Sequence, residues 1–213
     1  MKFDDPTSQQ YQALFRTHGG TQGPGVAIDY DDRGPGVRRQ IHVGVRNASA
    51  IIANFSTEPS EVPIPPASEW HHITVTYDQS ATGTPTNLYM YVDGAHKGNW
   101  KGTKDGDETP SQNNSNMALR LGGIQHEQGS VAGYLTGSLD EVAIWNVVLD
   151  SDSIINLASG TLASAVSASN IVSYFNMEGG PGSGSLTNYL PAISGTLTGT
   201  LMGNFVTGAY SCA

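Results

Sequence analysis

The acidic residues offer the first candidates for chemistry, because a pair of carboxyl groups can cleave a glycosidic bond. A retaining glycosidase holds its two carboxyl groups about 5–5.5 Å apart across an open cleft. Asp140 and Glu141 are consecutive on a predicted strand, so the pleat turns their side chains to opposite faces. We therefore expect no catalytic pair here, and we expect Asp140 to hydrogen-bond backbone groups at the start of the strand.

Other residue types that support catalysis are not arranged for it. The sequence has no Gly-x-Ser-x-Gly run and no His-x-x-x-His pair on a predicted helix. Cys212 is the one cysteine, so it has no disulfide partner within the chain. His71 and His72 are adjacent on a strand, so we expect one to pack inside and the other to face solvent. The sequence thus predicts a protein that is not an enzyme.

Clustered oxygen ligands make calcium a candidate, since this ion takes about six to eight oxygens and tolerates irregular loops. The acidic groups are Asp105, Asp107 and Glu108 in the polar stretch 103–116, and Asp29, Asp31 and Asp32 further upstream. In an acidic chain such groups are more often solvated surface than ion sites. Calcium binding by Asp105 and Asp107 is therefore a hypothesis, and a solvated loop is the alternative.

Aromatic and amide side chains in two polar loops suggest a binding surface. Trp100 ends a predicted hairpin, where a partly exposed indole could stack on a sugar ring, although packing within the hairpin is the other interpretation. Asn113 lies in the same loop as Asp105, and Tyr134 lies in the loop that begins at Ile124. We predict that Trp100, Asp105, Asn113 and Tyr134 contact a glycan or a protein partner.

The elements that must position these residues are short β-strands. Apolar and polar residues alternate with period 2, as in strands that bury one face, in Arg39 to Val45, Ile73 to Tyr77, Leu88 to Val92 and Leu139 to Trp145. Between two such runs, Asp93-Gly94 supplies the positive φ angles of a type I′ turn. Leu88 to Trp100 is thus predicted to be a hairpin.

In the C-terminal third of the sequence, we predict one helix and two more strands. Asp150 or Ser151 caps the helix, which should last about two turns. Its apolar side consists of Ile154, Ile155 and Leu157. Ile171 to Met177 and Gly195 to Met202 look like strands that pair within the sheets.

Composition and charge further restrict the possible fold class and the possible partners of the protein. The 213 residues include 26 Gly and 11 Pro, which favours short strands joined by turns in a single domain over residues 1–213. A formal net charge of −9 argues against a nucleic acid partner. No run approaches the roughly 20 apolar residues that span a bilayer, and the first residues lack the apolar stretch of a secretory signal. The localisation stays open.

Several motifs, taken together, resemble the laminin-G-like domains among the concanavalin A-like lectin jelly rolls. In chain order they are EWHHITVTYD at 69–78, LYMYVDG at 88–94, LRLGG at 119–123, GSLDEVAIWNVVL at 137–149 and NIVSYFNMEGGPGSGS at 170–185. The resemblance implies an all-β fold, a two-sheet antiparallel jelly-roll sandwich with one short helix. The side chains expected to point inward are Trp70, Ile73, Val75, Tyr77, Val142, Ile144 and Trp145.

Two departures from this family bear on function. Its members usually begin with an additional apolar strand before the segment that resembles YQALFRTHGG at 11–20, so we expect an edge that the tail or a partner covers. GGIQHEQGS at 122–130 resembles the calcium-ligand run of pentraxins and offers Glu127 and Gln128 as ligands. Gly129 stands where that run has Asp, which weakens any such site.

We interpret the chain as a non-catalytic recognition or adhesion module that binds a glycan or protein at a surface. The alternative is a structural virion protein, such as a capsid-decoration or tail component, that assembles with other virion subunits or with copies of itself. A glycan-cleaving enzyme is the third hypothesis, and it lacks the Glu-x-Asp-x-x-Glu pattern that jelly-roll glucanases usually carry.

Overall fold

Antiparallel strands dominate the computed structural model, which describes residues 1–3, 11–17, 25–31, 40–46, 51–56, 69–78, 88–100, 119–125, 131–177, 185–187 and 198–200. Every strand pair in these ranges is antiparallel. The predicted all-β class with one short helix is confirmed. The chain divides into two compact units, Met1–Ser138 and Leu139–Ala213.

The first unit contains a five-stranded and a three-stranded sheet. Its strands are β1 (Lys2–Phe3), β2 (Tyr11–Arg16), β3 (Gly25–Asp31), β4 (Gln40–Arg46), β5 (Ile51–Ser56), β6 (Ile73–Tyr77), β7 (Leu88–Val92), β8 (Ala95–Trp100), β9 (Arg120–Leu121), β10 (Ile124–Gln125), β11 (Val131–Ala132) and β12 (Gly137–Ser138). The strand orders are β5-β4-β3-β2-β9 and β6-β7-β8, with β1-β12 and β10-β11 as separate pairs. At the sheet edge, β5 contacts β7 and β8, which brings the two larger sheets together.

The five-stranded sheet buries an apolar face formed by β3 and β4. Tyr30 pairs with Ile41, and residues paired across antiparallel strands share a face. Ile41, Val43 and Val45 recur at every second position of β4 and are fully buried, as the alternation in this segment predicted. The strand covers Gln40–Arg46, one residue further along the chain than predicted.

The three-stranded sheet confirms the predicted hairpin. Leu88, Met90 and Val92 of β7 are buried, and the residues of β6 paired with them, Tyr77, Val75 and Ile73, share their face as predicted but are only partly buried. Asp93 and Gly94 have φ angles of 52° and 76°, the positive values that a type I′ turn requires.

Trp70 is a correction to the expected core. Its side chain is 37% exposed, and it lies in the segment 69–72 ahead of β6. The pleat that directs side chains to the buried face begins only at Ile73, so nothing in the strand geometry turns Trp70 inward. The ammonium group of Lys2 lies 5.9 Å from the centroid of the indole ring.

The N-terminal residues also differ from expectation, because a short strand does precede β2. Lys2–Phe3 pairs with Gly137–Ser138. Beside this pair, the amino group of Met1 donates to the carbonyl of His71, and the N–H of His71 donates to the carbonyl of Met1, both at 2.7 Å. The N-terminal residues thus pair with the chain itself, in a two-stranded sheet separate from the two larger ones.

The second unit contains β13 (Val142–Trp145), the helix α1 (Ser151–Ala158) and the strands β14 (Ile171–Phe175), β15 (Ser185–Thr187) and β16 (Thr198–Thr200). β13 pairs with β14, and β15 pairs with β16. Both predicted tail segments thus contain paired strands. β13 starts three residues later than predicted, because Glu141 has a φ of 51°, which an extended strand does not accommodate.

The helix α1 begins as predicted, at the cap Asp150, whose carboxylate accepts the backbone N–H of Ser153 at 2.8 Å. This hydrogen bonding lowers the pKa of Asp150. Ile154 is fully buried, but Ile155 is 50% exposed, which corrects its placement on the apolar side. Adjacent helical residues point about 100° apart, so burying Ile154 directs Ile155 away from the same contact.

A hydrophobic cluster lies between β14 and the short 3₁₀ turn Ala163–Ala165. Ala163, Ile171 and Tyr174 form its buried part. Trp145 packs against them with its side chain partly buried, and its indole N–H donates to the carbonyl of Val166 at 2.9 Å. Its predicted core position is confirmed. Val142 and Ile144 are partly buried on the same strand.

Candidate functional site

Most of the predicted binding residues lie outside the described part of the chain. These are Asp105, Asp107, Asn113, Glu127 and Gln128. Trp100 is the last residue of β8, opposite Leu88, and its side chain is likewise outside the description. Tyr134 can be placed in full, so it anchors the candidate site.

Tyr134 projects from a backbone segment whose neighbours on both sides are fixed. The carbonyl of Gly133 accepts the N–H of Ala13 at 2.9 Å, and the N–H of Leu135 donates to the carbonyl of Gly122 at 3.0 Å. The N–H of Thr136 donates to the side-chain carbonyl of Gln12 at 2.7 Å. These bonds hold the segment between β11 and β12 against β2 and the turn after β9.

Tyr134 is 45% exposed on this fixed segment. A tyrosine ring offers a rigid, amphipathic contact surface with only two side-chain torsions to immobilise when a ligand binds. Exposure on an ordered backbone therefore suits a contact residue, as the sequence predicted for Tyr134.

Gln12, Arg16 and Asp29 are buried polar residues whose roles sequence reasoning missed. Asp29 belongs to an acidic group whose expected roles were solvated surface or ion binding, but it is fully buried. Arg16 binds it through two hydrogen bonds, Nε to Oδ1 at 2.8 Å and Nη2 to Oδ2 at 2.6 Å. Such a forked pair fixes β2 against β3.

The carboxylates of Asp140 and Glu141 take part in local structure. Asp140 Oδ1 accepts the N–H of Glu141 at 2.9 Å, which confirms its predicted bond to backbone near the strand start. The carboxylate of Glu141 accepts a hydrogen bond from the hydroxyl of Tyr174, a buried residue of β14. Each acid is thus engaged in the second unit rather than directed at a shared ligand.

His71 and His72 meet the turn residue Asp93. Asp93 Oδ2 lies 2.7 Å from His71 Nδ1, and Asp93 Oδ1 accepts the backbone N–H of His72 at 2.8 Å. Both imidazoles are partly buried, so the expectation that one would be solvated is wrong. Burial lowers the pKa of His72, and the positive chain terminus adds to this, against an opposing effect of Asp93. Among the described residues, no three His, Cys, Asp or Glu side chains are grouped to hold a metal ion.

The outer face of the three-stranded sheet carries aromatic side chains that the sequence analysis did not single out. Tyr89 and Tyr91 alternate with the buried Leu88, Met90 and Val92, so they point to the opposite face. The ring of His96 lies 5.8 Å from that of Tyr89 and 5.3 Å from that of Tyr91, between centroids. The available signal was the alternation LYMYV, in which one face of the strand is aliphatic and the other aromatic.

Antiparallel sheets and, within the described ranges, one short α-helix define an all-β protein. The family model of the concanavalin A-like lectin/glucanases superfamily, in its laminin-G form, matches residues 1–155. The chain belongs to this superfamily, which confirms the resemblance seen in its motifs. A search of curated proteins found no match. No helix in the described ranges has the length and apolarity needed to cross a membrane.

Proposed function

We propose that the chain is a non-catalytic recognition module that binds carbohydrate at the loop between β11 and β12, which carries Tyr134. The observation that supports this most directly is the exposed phenol ring on a segment held by hydrogen bonds at Gly133, Leu135 and Thr136. A sugar ring can stack its C–H face on such a phenol while its hydroxyl groups bond to nearby polar side chains. The predicted contacts Trp100, Asp105 and Asn113 belong to the same proposal.

The absence of catalysis is part of the proposal, because the superfamily name covers both lectins and glucanases. A glycosidase needs two carboxyl groups free to act on one bond. Asp29 is bound by Arg16, and Glu141 by Tyr174. These engagements favour structural roles for both acids.

Glycan binding can be measured by titration calorimetry and by glycan-array screening of the purified chain. Tyr134→Ala should weaken saccharide binding about two- to tenfold, the range expected when one aromatic contact is lost. Leu162→Ala, which removes an exposed apolar side chain from the second unit, should leave the affinity unchanged. Steady release of reducing sugar by the wild-type chain would overturn the non-catalytic assignment. Binding to virion proteins without any saccharide affinity would favour the virion-surface alternative.

We further propose calcium binding by Asp105 and Asp107, with Glu127 and Gln128 as the second candidate pair. A ligand that binds only the native state raises the melting temperature as its concentration increases. Millimolar calcium should therefore raise the melting temperature and a chelator should lower it, while Asp105→Asn with Asp107→Asn should remove the difference. Identical melting curves in calcium and in chelator would end this proposal.

A further inference from the structure

The outer face of the three-stranded sheet has the composition of a second ligand-binding surface. Register places Thr74 opposite Tyr91 and Thr76 opposite Tyr89, while His96 of β8 lies opposite Tyr91. Paired residues share a face, so these five side chains lie on one face across three strands, where Thr76 itself is buried. We call it the tyrosine face.

The tyrosine face is separate from the hydrophobic core. The aliphatic residues of β7, Leu88, Met90 and Val92, are buried on the opposite side of the sheet. On the tyrosine face, His96 is exposed and both tyrosines are partly accessible. Burial raises the pKa of Tyr91, with a smaller contribution from Tyr89, which fits rings that pack closely at a surface.

The three rings are held by one another. His96 contacts both tyrosines with interplanar angles of 48° and 55°, so its imidazole bridges two rings that are two residues apart on one strand. Because side chains at i and i+2 are spaced by about 6.6–6.8 Å along a strand, the row is elongated rather than compact. An elongated row of rings fits an extended chain better than a single small molecule.

The charges on the tyrosine face indicate which kind of polymer could bind there. None of its five residues is Asp, Glu, Lys or Arg, whereas the whole sequence carries a formal charge of −9. That overall charge repels an anionic polymer. Its polar groups are hydroxyls and an imidazole, which can exchange hydrogen bonds with sugar hydroxyls.

We propose that the tyrosine face is a second carbohydrate site, which binds an extended, uncharged polysaccharide by stacking sugar rings on Tyr89 and Tyr91. This inference rests on the proposed function, since it assumes a carbohydrate-binding module, but it uses residues other than Tyr134. The site at Tyr134 lies on the loop segment between β11 and β12, and the tyrosine face lies on the surface of β6, β7 and β8.

Affinity electrophoresis of the whole chain through gels containing soluble neutral glucans tests this directly. Polymers with β-1,4 and with β-1,3 linkages serve as probes, and polygalacturonate serves as the anionic comparison. We expect neutral glucan to retard the wild-type chain. Tyr91→Ser should weaken retardation about two- to tenfold, and Tyr91→Phe, which keeps the ring, should retain most of it. His96→Ala changes an exposed residue and should give a partial loss without loss of folding.

The controls separate this site from the proposed function. Val148→Ala removes an exposed apolar side chain from the other unit and should not change migration. Melting curves identify any variant that fails to fold, in which case Tyr91→Phe and His96→Ala decide the outcome.

If Tyr134→Ala abolishes glucan binding while Tyr91→Ser and His96→Ala bind like wild type, the proposal of a site on the tyrosine face is wrong and the proposed function stands. If the wild-type chain binds no saccharide in the gels or on the array, both fail. Stronger retardation by polygalacturonate than by neutral glucan would also overturn the proposal.

Discussion

Buried polar side chains in the first unit act as connectors between segments far apart in sequence. The guanidinium of Arg16 satisfies both oxygens of Asp29, and the Gln12 side chain accepts a hydrogen bond from Thr136. Removing one partner of a buried pair leaves a desolvated polar group behind, which usually costs more than the bond itself contributes. The side chain of Gln12, together with backbone bonds at Gly133 and Leu135, therefore holds the segment that carries Tyr134.

His72 makes the stability of the first unit depend on pH. Burial lowers its pKa, so the folded chain favours the neutral imidazole, while the unfolded chain titrates near 6.5. Between these two values the unfolded state binds more protons, so its population grows as the solution becomes more acidic. The contribution of His72 is complete above about pH 6.5 and is lost as the pH falls through that value toward the lowered folded pKa.

Urea unfolding at pH 7.5 and pH 5 measures this effect. His72→Gln should reduce the difference in unfolding free energy between the two pH values, because a neutral amide does not titrate. His96→Gln, at an exposed position, should keep the wild-type difference. An unchanged pH dependence in His72→Gln would show that another group is responsible.

At the scale of elements, patterns among neighbouring residues correctly predicted strand bounds, a turn and a helix cap. They failed where contacts between residues distant in sequence determine where a strand begins. The bounds of β6 and β7, the Asp93-Gly94 turn and the Asp150 cap all follow from neighbouring residues. The late start of β13 depends instead on the unusual backbone of Glu141, whose carboxylate bonds to Tyr174, 33 positions away. Of the candidate site, the sequence indicated Tyr134 as a contact residue but did not reveal its support by Gln12, because hydrogen bonds between distant segments leave no periodic pattern.

The C-terminal end of α1 gives a clean test of backbone strain. Gly160 has a φ of 93°, its N–H donates to Leu157, and the N–H of Thr161 donates to Asn156, which is the Schellman arrangement. A Cβ added at Gly160 would meet no atom within 4 Å, so substitution introduces strain but no clash.

Gly160→Ala should therefore destabilise the second unit by about 1–2 kcal/mol, the cost of a left-handed conformation for a residue with a Cβ. Gly160→Asn should lose less, since asparagine tolerates positive φ better. Chemical denaturation followed by circular dichroism measures both, with Ser164→Ala at an exposed position outside α1 as the control. Equal stability of wild type and Gly160→Ala would show that this helix end does not require glycine.

At the scale of the whole molecule, the region that matches the family and the compact units of the structure have different residue boundaries. The matched region ends at residue 155, within α1, whereas the second unit begins at Leu139 and its cluster includes Ala163, Ile171 and Tyr174. β13 belongs to the matched region, but its partner β14 follows it. Residues beyond the family match are thus needed to complete the structure around Trp145.

Ending the chain after Gly160 should unfold or aggregate the second unit. The deletion removes the ladder partner of β13 and the carbonyl that accepts the indole N–H of Trp145. Loss of packing around a large aromatic side chain costs about 3–5 kcal/mol. A chain that ends after Met177 keeps β14 and the Val166 carbonyl, so it should melt at a higher temperature than the chain that ends after Gly160. Size-exclusion chromatography and thermal unfolding compare the two. If the chain that ends after Gly160 stays monomeric and its melting temperature is unchanged, residues 161–213 are dispensable for folding.

The hydrogen bond from Thr136 to Gln12 also determines when the proposed binding surface can form on the ribosome. Its partners are 124 residues apart in sequence. At a synthesis rate of about 5–20 residues per second, Gln12 is made roughly 6–25 s before Thr136. β2 must likewise wait roughly 5–21 s for its neighbour β9, because Phe15 pairs with Leu121, so one edge of the first sheet stays unpaired while translation continues. The segment that carries Tyr134 is consequently among the last parts of the first unit to be put in place, and a nascent chain acquires its sheet before it acquires its ligand contact.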